Sequence, residues 1–253
     1  VHGYPTSTWD SSHLWPQLGA RFRVVGADLL GLGFSSKPRP HRYCMAEQAD
    51  LMEFVLQQAG VQSCHVLTHD YGDTVAQELL ARGGREPALR GVCLLNGGIF
   101  PEAHRPLLIQ RLLSSPLGPL VARLSTRTTF AASMRRIFGH DRPPTPAELD
   151  GWWALITHGN GRAALAGVSR YRQERRRLRT RWVGALRATP VPLRLIIGTA
   201  DPIAGASVAS RYRQLVPRAD VIELDGVGHY PQVEAPERVL AAYADFRAGH
   251  GVG

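Results

Sequence analysis

A short apolar run at residues 63–68 is separated by only four residues from a helical pattern at 73–82. A strand that turns directly into a helix, as in a nucleophile elbow, needs small residues two positions before and after the residue at the tip. Thr68 and Gly72 suit those positions, and the tip residue is Asp70. Asp70 is therefore a candidate nucleophile. The alternative is an aspartate that caps the first helical amides.

Two later residues could complete such chemistry. A carboxylate that attacks carbon forms an ester, and hydrolysis of that ester needs a general base and an acid that orients it. His229 follows the last apolar run in a glycine-rich loop, and Asp201 follows the run before it. Each alone could be an ordinary loop residue. The order nucleophile, acid, histidine predicts a triad of Asp70, Asp201 and His229.

The first residues offer the remaining part of such a site. His2-Gly3-Tyr4-Pro5 has the pattern of a turn that presents a backbone amide to an oxyanion. We predict that the amides of Tyr4 and Tyr71 are the two donors. Because the donors are main-chain groups, they need no particular side chain at these positions.

Short apolar runs alternate with helical patterns along most of the chain. This alternation predicts an α/β fold, a mostly parallel sheet with helices on both faces. In the helix predicted at 45–59, Leu51, Phe54, Val55 and Ala59 form the expected apolar stripe. The expected strands are 22–29, 63–68, 89–95, 193–197 and 219–224.

The alternation stops between residues 101 and 185, where helical patterns continue without a convincing strand. An insertion between two parallel strands lies over the carboxyl ends of the sheet, where ligands bind. We therefore divide the chain into a core at 1–100, a helical lid at 101–185 and a second part of the core at 186–253. The alternative for 101–185 is a separate helical domain without a catalytic part.

Composition excludes several classes of protein. The 253 residues are 44% hydrophobic and 20% charged, unlike a disordered, collagenous or coiled-coil chain. Three irregularly spaced cysteines predict neither a disulfide framework nor a zinc site.

The net charge is +9, but Lys37 is the only lysine among 30 basic residues. The densest run, 170–181, lacks the interleaved aromatics of a single-strand binder. We predict a solvated or lipid-facing helix surface there and no nucleic-acid partner.

Four motifs, HGYP, DLLGLGFSSKP, HDYGDTVAQELL and GHYPQVEAPE, resemble the epoxide-hydrolase and haloalkane-dehalogenase branch of the α/β hydrolases. The resemblance implies a hydrolase without cofactor or metal, acting on a small hydrophobic or lipid-like substrate. Dehalogenases of this branch hold the halide with an Asn and a Trp, where this sequence has Tyr4 and Tyr71. Related epoxide hydrolases use two lid tyrosines as acids, and Tyr171 is the only tyrosine between 101 and 186. Epoxide hydrolysis is therefore the leading chemistry, and an acyl-group substrate stays open.

The resemblance has further implications outside the sequence itself. In that branch the strand before the HGYP turn lies inside the sheet, so we expect N-terminal strands to be absent from a fragment that begins at Val1. An N-terminal membrane anchor and a location at the endoplasmic reticulum membrane, otherwise the cytoplasm, are implied in the same way. The alternative function is a catalytically silent scaffold or partner-binding protein with the same fold.

Asp73 departs from the family pattern, because many relatives have a small residue three positions after the nucleophile. We interpret Asp73 as a cap on the first helical turn. The competing hypothesis is that its charge raises the pKa of Asp70.

Overall fold

The computed structural model describes residues 1–250, and within them four parallel strands form one sheet. The strands lie in the order in which they follow one another along the chain. They are β1 Ser63–His69, β2 Ala88–Leu95, β3 Leu193–Gly198 and β4 Val221–Leu224. These strands confirm four of the five predicted positions to within about two residues.

Helices occupy the segments between and around the strands. Short 3-10 helices cover Thr8–Ser11 and His158–Asn160. The α-helices are α1 Trp15–Gly19, α2 Met45–Gln58, α3 Tyr71–Arg82, α4 Leu108–Leu113, α5 Gly118–Leu124, α6 Arg127–Arg135, α7 Pro146–Thr157, α8 Arg162–Val168, α9 Tyr171–Arg177, α10 Arg179–Ala188, α11 Ala206–Leu215, α12 Pro231–Glu234 and α13 Pro236–His250.

Both faces of the sheet are covered, because successive residues of a strand point to opposite faces. In β3, Leu195 and Ile197 join the larger apolar core, while Ile196 joins a second cluster with Leu95 and Val239 of α13. A sheet buried on both sides explains why its strands are almost continuously apolar. The predicted α/β architecture with helices on both faces is therefore confirmed.

The fifth predicted strand, 22–29, is wrong: the structure assigns no strand to these residues. An extended segment becomes a strand only when a neighbour pairs with its amides and carbonyls. A cavity of about 650 Å³ is lined both by this segment and by residues of β1. At one end of the cavity Val1 pairs with β1, since the amide of His69 donates to the Val1 carbonyl at 3.0 Å.

The apolar stripe predicted for α2 is also wrong. Leu51 and Phe54 are exposed, whereas the buried apolar face of α2 consists of residues shifted along the helix. Those residues are Met45, Ala49, Met52 and Leu56. Their spacing of four, three and four is equally helical, so periodicity alone did not distinguish the two faces.

Seven helices, α4 to α10, follow one another between β2 and β3 and contain no strand. The carboxyl ends of β1, β2 and β3 carry Asp70, Asn96 and Asp201, respectively, in the turns that follow them. Among residues 1–250, no helix has both the length and the apolar composition that crossing a bilayer requires.

Candidate active site

Asp70 occupies the turn between β1 and α3, with backbone angles of φ 45° and ψ −98°. This conformation is rare for a residue with a side chain and marks local strain. The turn is tight, because a Cβ atom on Gly72 would lie 2.5 Å from the Val1 carbonyl oxygen. The Asp70 side chain makes no capping hydrogen bond to α3. The structure therefore has the predicted elbow with Asp70 at its tip, and the capping alternative does not describe it.

The Asp70 carboxylate is buried and lies next to a backbone donor and a cation. Oδ2 accepts a hydrogen bond from the Tyr4 amide at 3.3 Å, and Arg175 Nη2 lies 3.6 Å from Oδ1. Burial alone would raise the pKa of Asp70, but the charges of Arg175 and His229 outweigh it and lower that pKa. Asp70 is therefore ionised at neutral pH, as a nucleophile must be.

His229 and Asp201 form the second half of the site. His229 Nδ1 lies 2.7 Å from Asp201 Oδ2, and both side chains are buried. Burial would lower the pKa of His229, but the Asp201 carboxylate, with a smaller contribution from Asp70, raises it to about 9. Because Nδ1 is engaged by Asp201, Nε2 is the nitrogen available to activate a water molecule.

Asn96, which the sequence analysis did not identify, holds Asp201 in place. Its amide nitrogen donates to Asp201 Oδ2 at 2.9 Å, and its Oδ1 accepts the Gly198 amide at 2.8 Å. The other carboxylate oxygen of Asp201 accepts the Ile203 amide at 2.7 Å. Burial would raise the pKa of Asp201, but the His229 charge and hydrogen bond, with smaller contributions from these donors, lower it.

His69, which the sequence patterns also did not indicate, connects the elbow at Asp70 to the loop that contains His229. Its Nε2 lies 2.7 Å from the His229 carbonyl oxygen, so Nε2 carries the proton and donates. Burial, together with the neighbouring His229 charge, lowers the pKa of His69 to about 3. His69 is thus a neutral link that fixes the backbone of His229 beside the nucleophile.

Asp73 has a different role from the predicted cap. Its Oδ1 accepts hydrogen bonds from the Thr68 hydroxyl at 2.5 Å and from the Leu95 amide at 3.3 Å, so it joins α3 to β1 and β2. Burial, with a contribution from the Asp70 charge, raises the pKa of Asp73 to about 8. The repulsion between the two carboxyl groups is therefore relieved by protonation of Asp73, and Asp70 keeps its charge.

The three tyrosines predicted at the site are brought together and buried. The Tyr171 ring lies 5.8 Å from the Tyr4 ring and 4.8 Å from the Tyr71 ring. The Tyr4 hydroxyl donates to the Leu165 carbonyl at 3.2 Å, so it is not free for a halide. Tyr71 is the first residue of α3, where amides have no intrahelical acceptor. Burial and the Asp70 charge raise the pKa of the Tyr171 phenol.

Arg175 corrects the prediction that the arginine run 170–181 is a solvated or lipid-facing surface. The Arg175 side chain is only 3% exposed, and its guanidinium donates to the Thr74 hydroxyl at 2.6 Å and to the Asp70 carbonyl at 2.8 Å. It also lies 4.5 Å from the centre of the Tyr171 ring. Arg172 is buried as well. The helical spacing of Tyr171 and Arg175 is the signal that could have placed both at the site.

A cavity of about 120 Å³ lies between the lid and the core, lined by Tyr4, His229 and Tyr230 together with apolar lid residues. The lid residues include Leu107, Leu113, Phe130, Met134, Trp153, Ile156 and Leu165. Two larger cavities, of about 770 and 650 Å³, contain none of the six predicted site residues. Within residues 1–250, no group of three or more His, Cys, Asp or Glu side chains is arranged to hold a metal ion.

Comparison with known proteins agrees with the fold. The profile of the α/β hydrolase fold family matches residues 1–236. The mesoderm-specific transcript protein of Mus musculus is 42% identical over 97% of this chain and 77% of its own length. A putative hydrolase, LipZ, of Mycobacterium tuberculosis is 42% identical over 97% of this chain and 84% of its own. The solved structure of the epoxide hydrolase CorEH superposes with a TM-score of 0.81 at 16% identity, covering 98% of this chain and 89% of that one.

The raised pKa of Asp73 makes a prediction about stability. Because its pKa is about 8 in the folded protein and 3.8 in a model peptide, the folded state binds more protons than the unfolded state between these values. Native Asp73 therefore lowers stability as pH rises through this window. Asp73→Asn should raise the melting temperature of the full-length protein, and the gain should be larger at pH 8 than at pH 5.

Asp141→Asn, which removes an exposed carboxylate of the lid, is the matched control and should show no such trend. An equal gain at both pH values for Asp73→Asn would mean that Asp73 is ionised in the folded protein.

Proposed function

We propose that this chain, which belongs to the α/β-hydrolase family, is a hydrolase that acts through a covalent ester on Asp70. The observation that supports the proposal most strongly is a buried carboxylate at a strained elbow, beside a backbone amide and a histidine–aspartate pair. An epoxide-bearing hydrophobic molecule is the substrate class that fits the surrounding groups best.

In the first step a carboxylate oxygen of Asp70 attacks a ring carbon of the epoxide, and the bond between that carbon and the ring oxygen breaks. The electron pair of that bond stays on the oxygen, and the alkoxide takes the phenolic proton of Tyr171. Tyr171 is suited to this transfer because the Asp70 charge helps to keep its proton in place beforehand. Esterification removes that charge, while the Arg175 guanidinium remains over the ring to stabilise the phenolate.

In the second step His229 removes a proton from water, and the resulting hydroxide attacks the ester carbonyl carbon of Asp70. The oxyanion is held by the amides of Tyr4 and Tyr71. Its collapse expels the diol oxygen, which takes the hydroxyl proton of the intermediate, so Asp70 is left as a carboxylate. Before esterification the Asp70 charge contributes to the raised pKa of His229. Loss of that charge in the ester lowers the pKa of His229. Its neutral imidazole, the form that can accept a proton from water, is therefore favoured in the ester intermediate. The single proton that His229 took from water then passes to the Tyr171 phenolate, which restores the phenol for the next turnover.

Tyr4 is not suited to hold a departing halide. Such a halide needs side-chain N–H or O–H donors that are free, and the Tyr4 hydroxyl is occupied by the Leu165 carbonyl. The apolar lining of the cavity favours a hydrophobic substrate. Its volume of about 120 Å³ admits a small apolar group, since one water occupies about 30 Å³ of liquid. A lipid-like substrate therefore requires the lid to move.

Trapping the ester is the direct test. His229→Gln removes the base of the second step but leaves Asp70 in place, so the adduct should accumulate. We expect intact-mass spectrometry of the full-length variant, incubated with a panel of epoxides, alkyl halides and lipid esters, to show an increase equal to one whole epoxide. Peptide mapping should locate the added mass on Asp70.

The matched control is the double variant Asp70→Asn, His229→Gln, which should gain no mass. A trapped adduct on any residue other than Asp70 would contradict the proposed nucleophile. The absence of an adduct with every compound would instead favour a catalytically silent scaffold.

Tyr171 distinguishes epoxide opening from attack on an acyl group. Tyr171→Phe should slow adduct formation with an epoxide by roughly 10²- to 10⁴-fold, because the alkoxide then lacks its acid. Tyr212→Phe is the control, since Tyr212 is another buried tyrosine whose hydroxyl has no partner within residues 1–250. Single-turnover rates provide the measurement. Equal rates for Tyr171→Phe and the unsubstituted protein would exclude Tyr171 as the acid.

Arg175 should determine the pH at which kcat/KM falls on the acidic side of its pH profile. Because its charge lowers the pKa of Asp70, Arg175→Met should raise that pKa and move the acidic limb of kcat/KM to higher pH by about one unit or more. Arg175→Lys should restore most of the shift. Arg172→Met removes a buried arginine of the same helix that bonds Gln110 and Ser114, and it should leave the limb unmoved. An unmoved limb in Arg175→Met would show that His229 alone keeps Asp70 ionised.

A further inference from the structure

The outer surface of α4 and α5 is unusually apolar for a solvent-exposed part of the fold. Nine large apolar side chains are exposed among residues 1–250, and four of them belong to this helical pair or its first flanking residue. They are Leu108, Leu117, Leu120 and Leu124, with exposures of 70, 59, 55 and 67%. Scattered single exposed leucines are ordinary, but a group in two consecutive helices marks an interaction surface.

The orientation of α5 explains how these leucines come to face outwards. Leu117, Leu120 and Leu124 are spaced by three and four residues and so lie on one side of the helix. The opposite side carries small buried residues, Gly118 and Ala122, and packs against α8. A Cβ atom on Gly118 would lie 3.1 Å from the Ala166 side chain, so this side is fully occupied. The large apolar residues of α5 therefore have no partner within the described fold.

The stretch of sequence that carries these leucines has acidic residues nowhere and arginines throughout. Residues 103–140 contain six arginines and no aspartate or glutamate. Arg105, Arg111 and Arg123 are exposed, and no carboxylate of residues 1–250 lies within 4.0 Å of them. By contrast, Arg127 of the same segment is paired with Asp150 at 2.6 Å. We call the four leucines and these three unpaired arginines the lid face.

We propose that the lid face docks on an anionic lipid surface. Exposed leucines flanked by unpaired arginines are the combination that such a surface binds, apolar side chains entering the acyl region and guanidinium groups meeting phosphates. A soluble protein partner of matching shape would need its own acidic apolar groove, whereas anionic lipid supplies both features together. The charge complementarity therefore favours lipid as the occupant.

The position of the lid face connects it to the candidate active site. Leu107, Ile109 and Leu113 line the cavity beside His229, while Leu108 of the same helix is exposed. α4 thus separates the cavity from the lid face by the thickness of one helix. The docking surface itself does not depend on the proposed chemistry.

A fluorophore attached at the lid face tests the proposal directly, because it reports contact between this surface and lipid and not membrane binding by another part of the protein. The full-length protein carrying Leu120→Cys, labelled with an environment-sensitive dye, is mixed with vesicles of phosphatidylcholine with or without phosphatidylglycerol and doxyl-labelled lipid. We expect quenching by doxyl lipid only with the anionic vesicles, and a loss of quenching at high salt. The same dye at Phe54→Cys, an exposed apolar position on α2, should not be quenched.

The arginines are tested by matched pairs in the labelled protein. Arg111→Gln with Arg123→Gln should weaken vesicle binding by roughly 25-fold, about fivefold for each charge. Arg90→Gln with Arg218→Gln removes the same charge from exposed positions at the amino-terminal ends of β2 and β4, and it should change binding by less than twofold. Protein without the added cysteine corrects for dye on Cys44 or Cys64.

Equal quenching at positions 120 and 54, or equal binding to vesicles without phosphatidylglycerol, would overturn the proposal. A dye signal at position 120 that rises with protein concentration in the absence of lipid would assign the lid face to a second copy of the chain, which also overturns it.

Discussion

The site depends on one constraint: a carboxylate buried at a strained turn stays ionised only when positive charge lies beside it. Asp70 obtains that charge from two sources. His229 is aligned by Asp201 on the core, and Arg175 belongs to helix α9 of the lid. Because Asp73 is relieved of its charge by burial, the positive groups act on Asp70 without a competing carboxylate. The strained backbone, the lid helix and the histidine loop are thus coupled through a single side chain.

Helices α8 and α9 and the segment after α6 contact the candidate site directly. The Ile137 carbonyl of the segment after α6 accepts the His229 amide at 2.7 Å, and the Leu165 carbonyl of α8 accepts the Tyr4 hydroxyl. With Arg175, these helices and the segment after α6 contact His229, Tyr4 and Asp70. A displacement of these helices would change the electrostatics of Asp70 as well as access to it. In this arrangement, the position of these helices and the charge state of Asp70 are linked.

The sequence was sufficient for the elements whose signals are local. The elbow at Asp70, the loops of Asp201 and His229 and four strands each depend on patterns of a few residues. The strand predicted at 22–29 failed because a strand is defined by its neighbour, and no paired neighbour lies beside that segment in the described fold. Arg175 and Asn96 act across 105 residues of sequence, on Asp70 and Asp201 respectively. No local pattern shows such contacts. In the run 170–181, the sequence does not distinguish the buried guanidinium of Arg175 from exposed ones.

Arginine has different roles on the inner and outer sides of the lid. Inside, Arg175 is desolvated, and its hydrogen bonds to Thr74 and the Asp70 backbone offset the cost of burial. Outside, Arg111 and Arg123 remain hydrated beside exposed leucines, where only an external anion can pair with them. Docking on anionic lipid would act on α4, one side of which lines the cavity. Since that cavity of about 120 Å³ is too small for a whole lipid, binding at the lid face and admission of a lipid-like substrate would involve the same helix.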